Sequence, residues 1–275
     1  MKGSARRSAL FAALAFLVVL LVNEVVIAYY ESAPSKQAGD QTGNRTLDHT
    51  DDQAGELTGG HIGLILHFGL FVALVTWGLT TGYRYPEIRV LALSLTLVQM
   101  VRIANLSIPS IYLPGLFQFV AIYTVVLAVC ASLARVEPRM MEVTVLRPPG
   151  RHDLALIGLA VLLGFVEYHI LGPRNVGIVA DYGLSSLVGI SIVMLAFVGL
   201  AEEVTFRAFL QPPSQAVLGR WAGLAYTSLV FALMHLVWRN PLDVVFAFIA
   251  GLIFGYVFDR TRNLTSIVMM HGVIN

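Results

Sequence analysis

The sequence predicts an all-α, polytopic integral membrane protein of about eight to nine transmembrane helices, and three observations predict it. Hydrophobic residues make up 57% of the 275 and charged residues only 13%, about half the charge of a soluble domain; mean hydropathy is +0.75. Apolar runs of about eighteen residues or more recur along the chain, long enough to cross a hydrocarbon core of about 30 Å. One of them, SSLVGISIVMLAFVGL, runs on into AEEVTFRAFL and so carries Glu202, Glu203 and Arg207 into the membrane. A formal net charge of +1 gives no reason to expect a nucleic-acid partner. The single cysteine, Cys130, cannot form an intrachain disulfide.

Nine segments follow from the pattern, at about 9–30, 61–81, 90–108, 110–134, 154–172, 187–211, 221–238, 244–258 and 265–275. The first follows the basic start MKGSARR and has no clear small-residue cleavage site, so it reads as a signal anchor rather than a signal peptide. Residues 31–60 are polar, net acidic and rich in Gly, Thr and Asp, a loop composition. The stretch RVEPRMMEVTVLRPPGRHD (135–153) divides the chain into an N-terminal membrane region, 1–150, and a second region, 151–275, that holds the polar motifs. Positive-inside counting places the N-terminus in the cytoplasm, with Arg84, Arg89, the arginines of 135–153, Arg220, Arg260 and Arg262 on the same side. The last segment has about eleven residues, half of a bilayer crossing, and this reading expects the chain to continue beyond Asn275.

Charge at mid-membrane costs about 2.5–3.5 kcal/mol per group on insertion scales, so Glu202, Glu203 and Arg207 must face protein or a wet cavity. Glu203 and Arg207 are spaced i,i+4 with the glutamate first, the favourable order for an ion pair on one helix face. Glu202 points about 100° away and is left free. The same spacing recurs in FALMH, which pairs Phe231 with His235, and in MMHGVIN, which pairs His271 with Asn275. Counted from their cytoplasmic ends, Glu202 and His271 lie eight or nine residues deep and His235 about fourteen; the mismatch implies a misplaced boundary or a helix broken, for instance, at Pro212-Pro213.

A carboxylate beside an imidazole can hold and deprotonate a water, and His and Asn donors can stabilise an oxyanion. Those parts describe water attacking a carbonyl within a membrane. The same atoms allow other readings. Glu202, His235 and His271 could ligate zinc with bound water as nucleophile. A proton-coupled transporter, or a non-catalytic immunity or scaffold protein, could use the same residues, although a transporter predicts inverted repeats and none is visible. Other polar membrane residues carry less. Asn23 and Glu24 are expected to meet headgroups near the end of the first segment, and Arg102 to snorkel or pair. Glu167 and His169 are i,i+2, and His61 and His67 six apart, so neither pair shares a helix face.

The three motifs Glu202-Glu203-x-x-x-Arg207, Phe231-x-x-x-His235 and His271-x-x-x-Asn275, in this order on separate apolar segments, resemble those of the CPBP (CAAX protease and bacteriocin-processing, ABI) family, whose best-known members are Rce1-type CAAX prenyl endopeptidases. The likeness covers about 187–275; Ala208 stands where the family commonly has glycine. It implies an intramembrane active-site cavity in which Glu202 is the catalytic base, His235 helps to hold the water, and His271 and Asn275 form the oxyanion site. Glu203 and Arg207 would support Glu202. Members are often called metalloproteases, yet the Rce1-type site also reads as metal-free, and no cofactor is favoured here. The implied substrate is a membrane-associated or prenylated protein, and the Rce1-type reaction it implies removes the C-terminal CaaX tripeptide.

Overall fold

A computed structural model describes residues 3–32, 59–107, 115–140, 147–148, 150–172 and 183–275. The described chain is helical, with eight helices long and apolar enough to cross a membrane and a shorter ninth. In chain order they are α1 (Gly3–Ser32), α2 (Gly59–Gly82), α3 (Pro86–Ser107), α4 (Gly115–Val136), α5 (Arg151–Leu171), α6 (Leu184–Leu218), α7 (Arg220–Trp238), α8 (Pro241–Thr261) and α9 (Leu264–Ile274). The expected acidic loop lies mostly outside the described residues, as does part of the arginine-rich segment.

The local signals are physical. Asn240 caps α8 by accepting a hydrogen bond from the Leu242 amide, with Pro241 in the first turn, where its missing N–H costs nothing. Asn263 caps α9 in the same way through the Thr265 amide. Left-handed Arg239 and Arg262 (φ 53° and 54°) reverse the chain after α7 and α8.

The largest departure from the sequence reading is α6. It does not end near residue 211 but runs to Leu218, straight through Pro212-Pro213. Leu210 and Gln211 keep helical angles (φ −89°, ψ −41° and φ −63°, ψ −46°), so the two prolines do not break the helix. The turns ahead of them, Val204–Leu210, are π-helical, as is Met194–Gly199. The Phe209 carbonyl, which Pro213 cannot pair, accepts instead from the Ser94 hydroxyl of α3 at 2.7 Å, and π-helical turns are frequent at functional sites. With this boundary Glu202 stands 16 residues before Leu218 and His235 15 residues after Arg220. The expected mismatch in depth between them disappears.

Helix α6 lies between two apolar cores. Ala201, Val204, Ala208 and Phe209 pack in one with residues of α3, α4, α8 and α9. Phe206, Leu210 and Val217 pack in the other with α1, α2, α3 and α7. The first half of α6 exposes Leu184, Leu187, Val188 and Ile192, whereas from Ala201 to Ser214 the helix is covered on nearly every side and has no lipid-facing stripe, which is how its charges escape lipid. The methyl of Ala208, where a glycine is usual, is fully buried in the first core.

Candidate active site

Two π-helical stretches flank the turn Leu200–Glu203, and from it the two adjacent glutamates diverge. Glu203 and Arg207 are both fully buried, and Arg207 Nε lies 3.0 Å from Glu203 Oε2. The ion pair expected from i,i+4 spacing is therefore present. Arg207 also sits 5.4 Å over the face of Phe231, a cation–π contact in a desolvated setting.

The other oxygen of Glu203 is committed to α9. His271 Nδ1 lies 2.6 Å from Glu203 Oε1, and its Nε2 lies 3.5 Å from Glu202 Oε2. The imidazole thus stands between the two carboxylates, with Glu203 fixing its orientation through Nδ1 and turning Nε2 toward Glu202, as a ring partner sets the working nitrogen of a histidine. Gly272 makes this approach possible: a Cβ there would fall 2.8 Å from the Leu195 Cα on α6.

Glu202 is not free, as the helix geometry suggested. Its Oε1 accepts a 2.6 Å hydrogen bond from the Tyr123 hydroxyl on α4, in the N-terminal region. Its side chain is 17% exposed where that of Glu203 is sealed. Tyr123 is the site residue that sequence reasoning missed. Nothing in the apolar run around it, AIYTVVLAV, distinguishes it from a packing tyrosine.

His235 begins a 3₁₀ turn at the end of α7 and bonds through Nδ1 to the Phe231 carbonyl at 3.0 Å. It makes no hydrogen bond or ion pair with Glu202 or His271 among the described residues. Phe231 connects them instead: its ring centroid is 4.7 Å from that of His235 and 5.9 Å from that of His271. Phe254 closes on His271 at 5.5 Å. Asn275 is exposed one turn beyond His271, and its backbone N–H bonds to the His271 carbonyl.

Two assignments for the remaining polar residues change. Glu167 of α5, expected to have no part in a site, is half-buried within electrostatic reach of Asp243, His271 and Glu202; His169 turns away and bonds to the Phe165 carbonyl. Glu24 does not meet headgroups, and Arg102 pairs, one of the two roles expected of it. They form a two-pronged buried ion pair between α1 and α3, with His67 Nε2 3.5 Å from Glu24 and His67 Nδ1 2.7 Å from Gln99.

Among the described residues no three His, Cys, Asp or Glu side chains are grouped to hold a metal ion. The set Glu202, His235 and His271 does not converge as zinc ligands would.

Fold and site together define a polytopic membrane protein with a Glu–His–Arg constellation buried among its helices. Residues 184–275, the stretch that supplies the glutamates, histidines and arginine of that constellation, match the family described as type II CAAX prenyl endopeptidase Rce1-like. Neither the curated proteins nor the solved structures contain a match to the chain.

Proposed function

We propose that this protein is an intramembrane endopeptidase that hydrolyses a peptide bond with a water activated by Glu202 and His235. The observation that carries the proposal is His271 suspended between Glu203 and Glu202, with Glu202 steadied from its far side by Tyr123. A purely structural ion network would bury both carboxylates; here one is sealed and paired, and the other keeps partial access.

Glu202 takes a proton from water as its oxygen attacks the scissile carbonyl carbon. General-base help of this kind is worth about 10²–10⁴ in rate. His235, whose Nδ1 is tied to a backbone carbonyl, offers Nε2 to the same water. The C=O bond opens to an oxyanion, which His271 in its doubly protonated form, donating from Nε2 while Nδ1 donates to Glu203, and the Asn275 amide stabilise; one such donor is worth about 2.7–4 kcal/mol. The C–N bond then breaks, Glu202 returns its proton to the leaving amine, and a carboxylate and an amine depart. Glu203 and Arg207 act through His271, holding its ring, and Tyr123 acts through Glu202.

The Rce1-like match supports one substrate class: a prenylated, membrane-associated protein losing its C-terminal CaaX tripeptide, approached from the side to which positive-inside counting assigns the N-terminus. The test is cleavage of a quenched prenylated CaaX peptide by the full chain in nanodiscs, comparing wild type with Glu202→Gln. Cleavage by wild type and loss of at least 10² in the variant is the expected result. Equal rates in the two would overturn the role of Glu202, and a wild type inert on this peptide would overturn the substrate class.

A further inference from the structure

A second polar site lies away from the catalytic residues, about eight residues or roughly 12 Å along α6 from Arg207. Where α6 ends, α7 begins and α8 ends, a cleft of about 430 Å³ is lined by Pro212, Gln215, Ala216, Arg220, Asp259 and Arg262, a volume within the usual range for a small-ligand site. Its polar lining is built around one nearly buried carboxylate. Asp259 Oδ2 accepts from Arg220 Nε at 2.7 Å, and Oδ1 accepts from Gln215 Nε2 at 3.1 Å and from an Arg262 terminal nitrogen at 3.3 Å. Gln215 also donates to the Arg220 carbonyl at 3.2 Å.

Charge and geometry point the same way. Two guanidinium groups face one carboxylate, so the cleft carries a surplus positive charge. Each arginine commits one nitrogen to Asp259 and keeps the rest of its donor fork, the geometry that suits a phosphate. Beside the cleft, on the side of Arg220, Trp221 and Tyr256 stack with ring centroids 6.4 Å apart and are 58% and 43% exposed. Arg220 lies 5.0 Å over the Trp221 ring. Exposed Trp and Tyr beside arginine, at the ends of two apolar spanning helices, mark the headgroup level of a bilayer.

We infer that this cleft binds the phosphate headgroup of an anionic phospholipid, gripped by Arg220 and Arg262, with the acyl chains leaving past Trp221 and Tyr256. Bound there, the lipid ties the α6–α7 turn to the end of α8. A free phosphate offers the same anion without the acyl chains, and the aromatic pair beside the cleft favours the lipid.

The test is native mass spectrometry of the full chain taken from bilayers of phosphatidylcholine mixed with phosphatidylglycerol. Phosphatidylglycerol should be retained in preference, and each of Arg220→Gln and Arg262→Gln should weaken that preference about five-fold. Arg135→Gln, which removes an exposed charge on α4 whose guanidinium bonds to the Ala131 carbonyl, should leave it unchanged. Equal retention of the two lipids, or an equal loss in the Arg135 variant, would overturn the site as general surface attraction. Displacement of the lipid by inorganic phosphate would make it a free-anion site and overturn the lipid assignment. Arg220→Lys keeps the charge without the fork and gives the same answer by an intermediate loss if either Gln variant does not fold.

Discussion

The hydroxyl of Tyr123 on α4 donates a 2.6 Å hydrogen bond to Oε1 of Glu202 on α6, across 79 positions of sequence and from outside the Rce1-like stretch. The N-terminal helices are thus joined to the site itself. A hydrogen bond to a charged group is worth about 1.5–3 kcal/mol. If Tyr123 holds Glu202 in position for proton transfer, Tyr123→Phe should lower kcat about 10- to 100-fold with little change in KM. Introduced into Glu202→Gln, it should cost nothing further. A kcat equal to wild type, or full additivity of the two changes, would show that the bond only packs α4 against α6.

Glu203 is expected to matter for folding as well as for rate, because it serves two partners from a position with no solvent. Removing one member of a buried pair leaves an uncompensated charge and costs about 3–5 kcal/mol. Glu203→Ala strands Arg207 and frees His271 together. The folded yield and the thermal midpoint in detergent should both fall, and cleavage with them. Normal yield and midpoint with activity lost would instead make Glu203 a chemical participant with no structural share.

What was legible in the sequence and what was not divides along a physical line. Spacing on one helix could be read: Glu203–Arg207 follows from i,i+4 alone, and the burial of α6 follows from the cost of its charges in lipid. Contacts between helices could not be. Tyr123 carries an ordinary membrane side chain, and only its placement against Glu202 gives it a role. Spacing gives Glu167 no site because His169 lies on its other face, yet α5 brings it toward α9 without any help from His169: a Cβ at Gly164 would stand 3.1 Å from the Ile274 carbonyl. The end of α6 was missed because two adjacent prolines ordinarily stop a helix, and a preceding π-helical stretch is not visible as a residue pattern.

Close approach of α9 to α6 depends on Gly272, next to His271. An added methyl would stand 2.6 Å from Leu195 Cδ1 and 2.8 Å from the Leu195 Cα. The backbone cannot yield as a side-chain tip can, so α9 must move and carry His271 with it. Gly272→Ala should lower kcat about 10²-fold, the order of loss for a displacement of about 1 Å at a catalytic group. Because α9 also carries Leu264, Ile267 and Met270 of the first core, the thermal midpoint should fall as well, with a loss of about 1–3 kcal/mol of stability. Wild-type turnover in this variant would mean that the position of His271 does not limit the reaction.

The buried pair Glu24–Arg102 gives the sharpest test of how the N-terminal helices hold together. Both side chains are nearly sealed, and His67 and Gln99 extend the cluster across α2 and α3. Taking two charges out of water offsets much of their mutual attraction, so the pair stabilises little relative to apolar residues of similar size, whereas either charge left alone is costly. Arg102→Met should therefore destabilise the protein by about 3–5 kcal/mol, and Glu24→Met should do the same. The double variant Glu24→Met with Arg102→Met should recover most of the loss. Unfolding in detergent, followed by helix content for the four proteins, gives the coupling directly. A double variant no more stable than the singles would show that the cluster holds α1 to α3 through the geometry of its hydrogen bonds, which methionine cannot replace, rather than by mutual neutralisation of two charges.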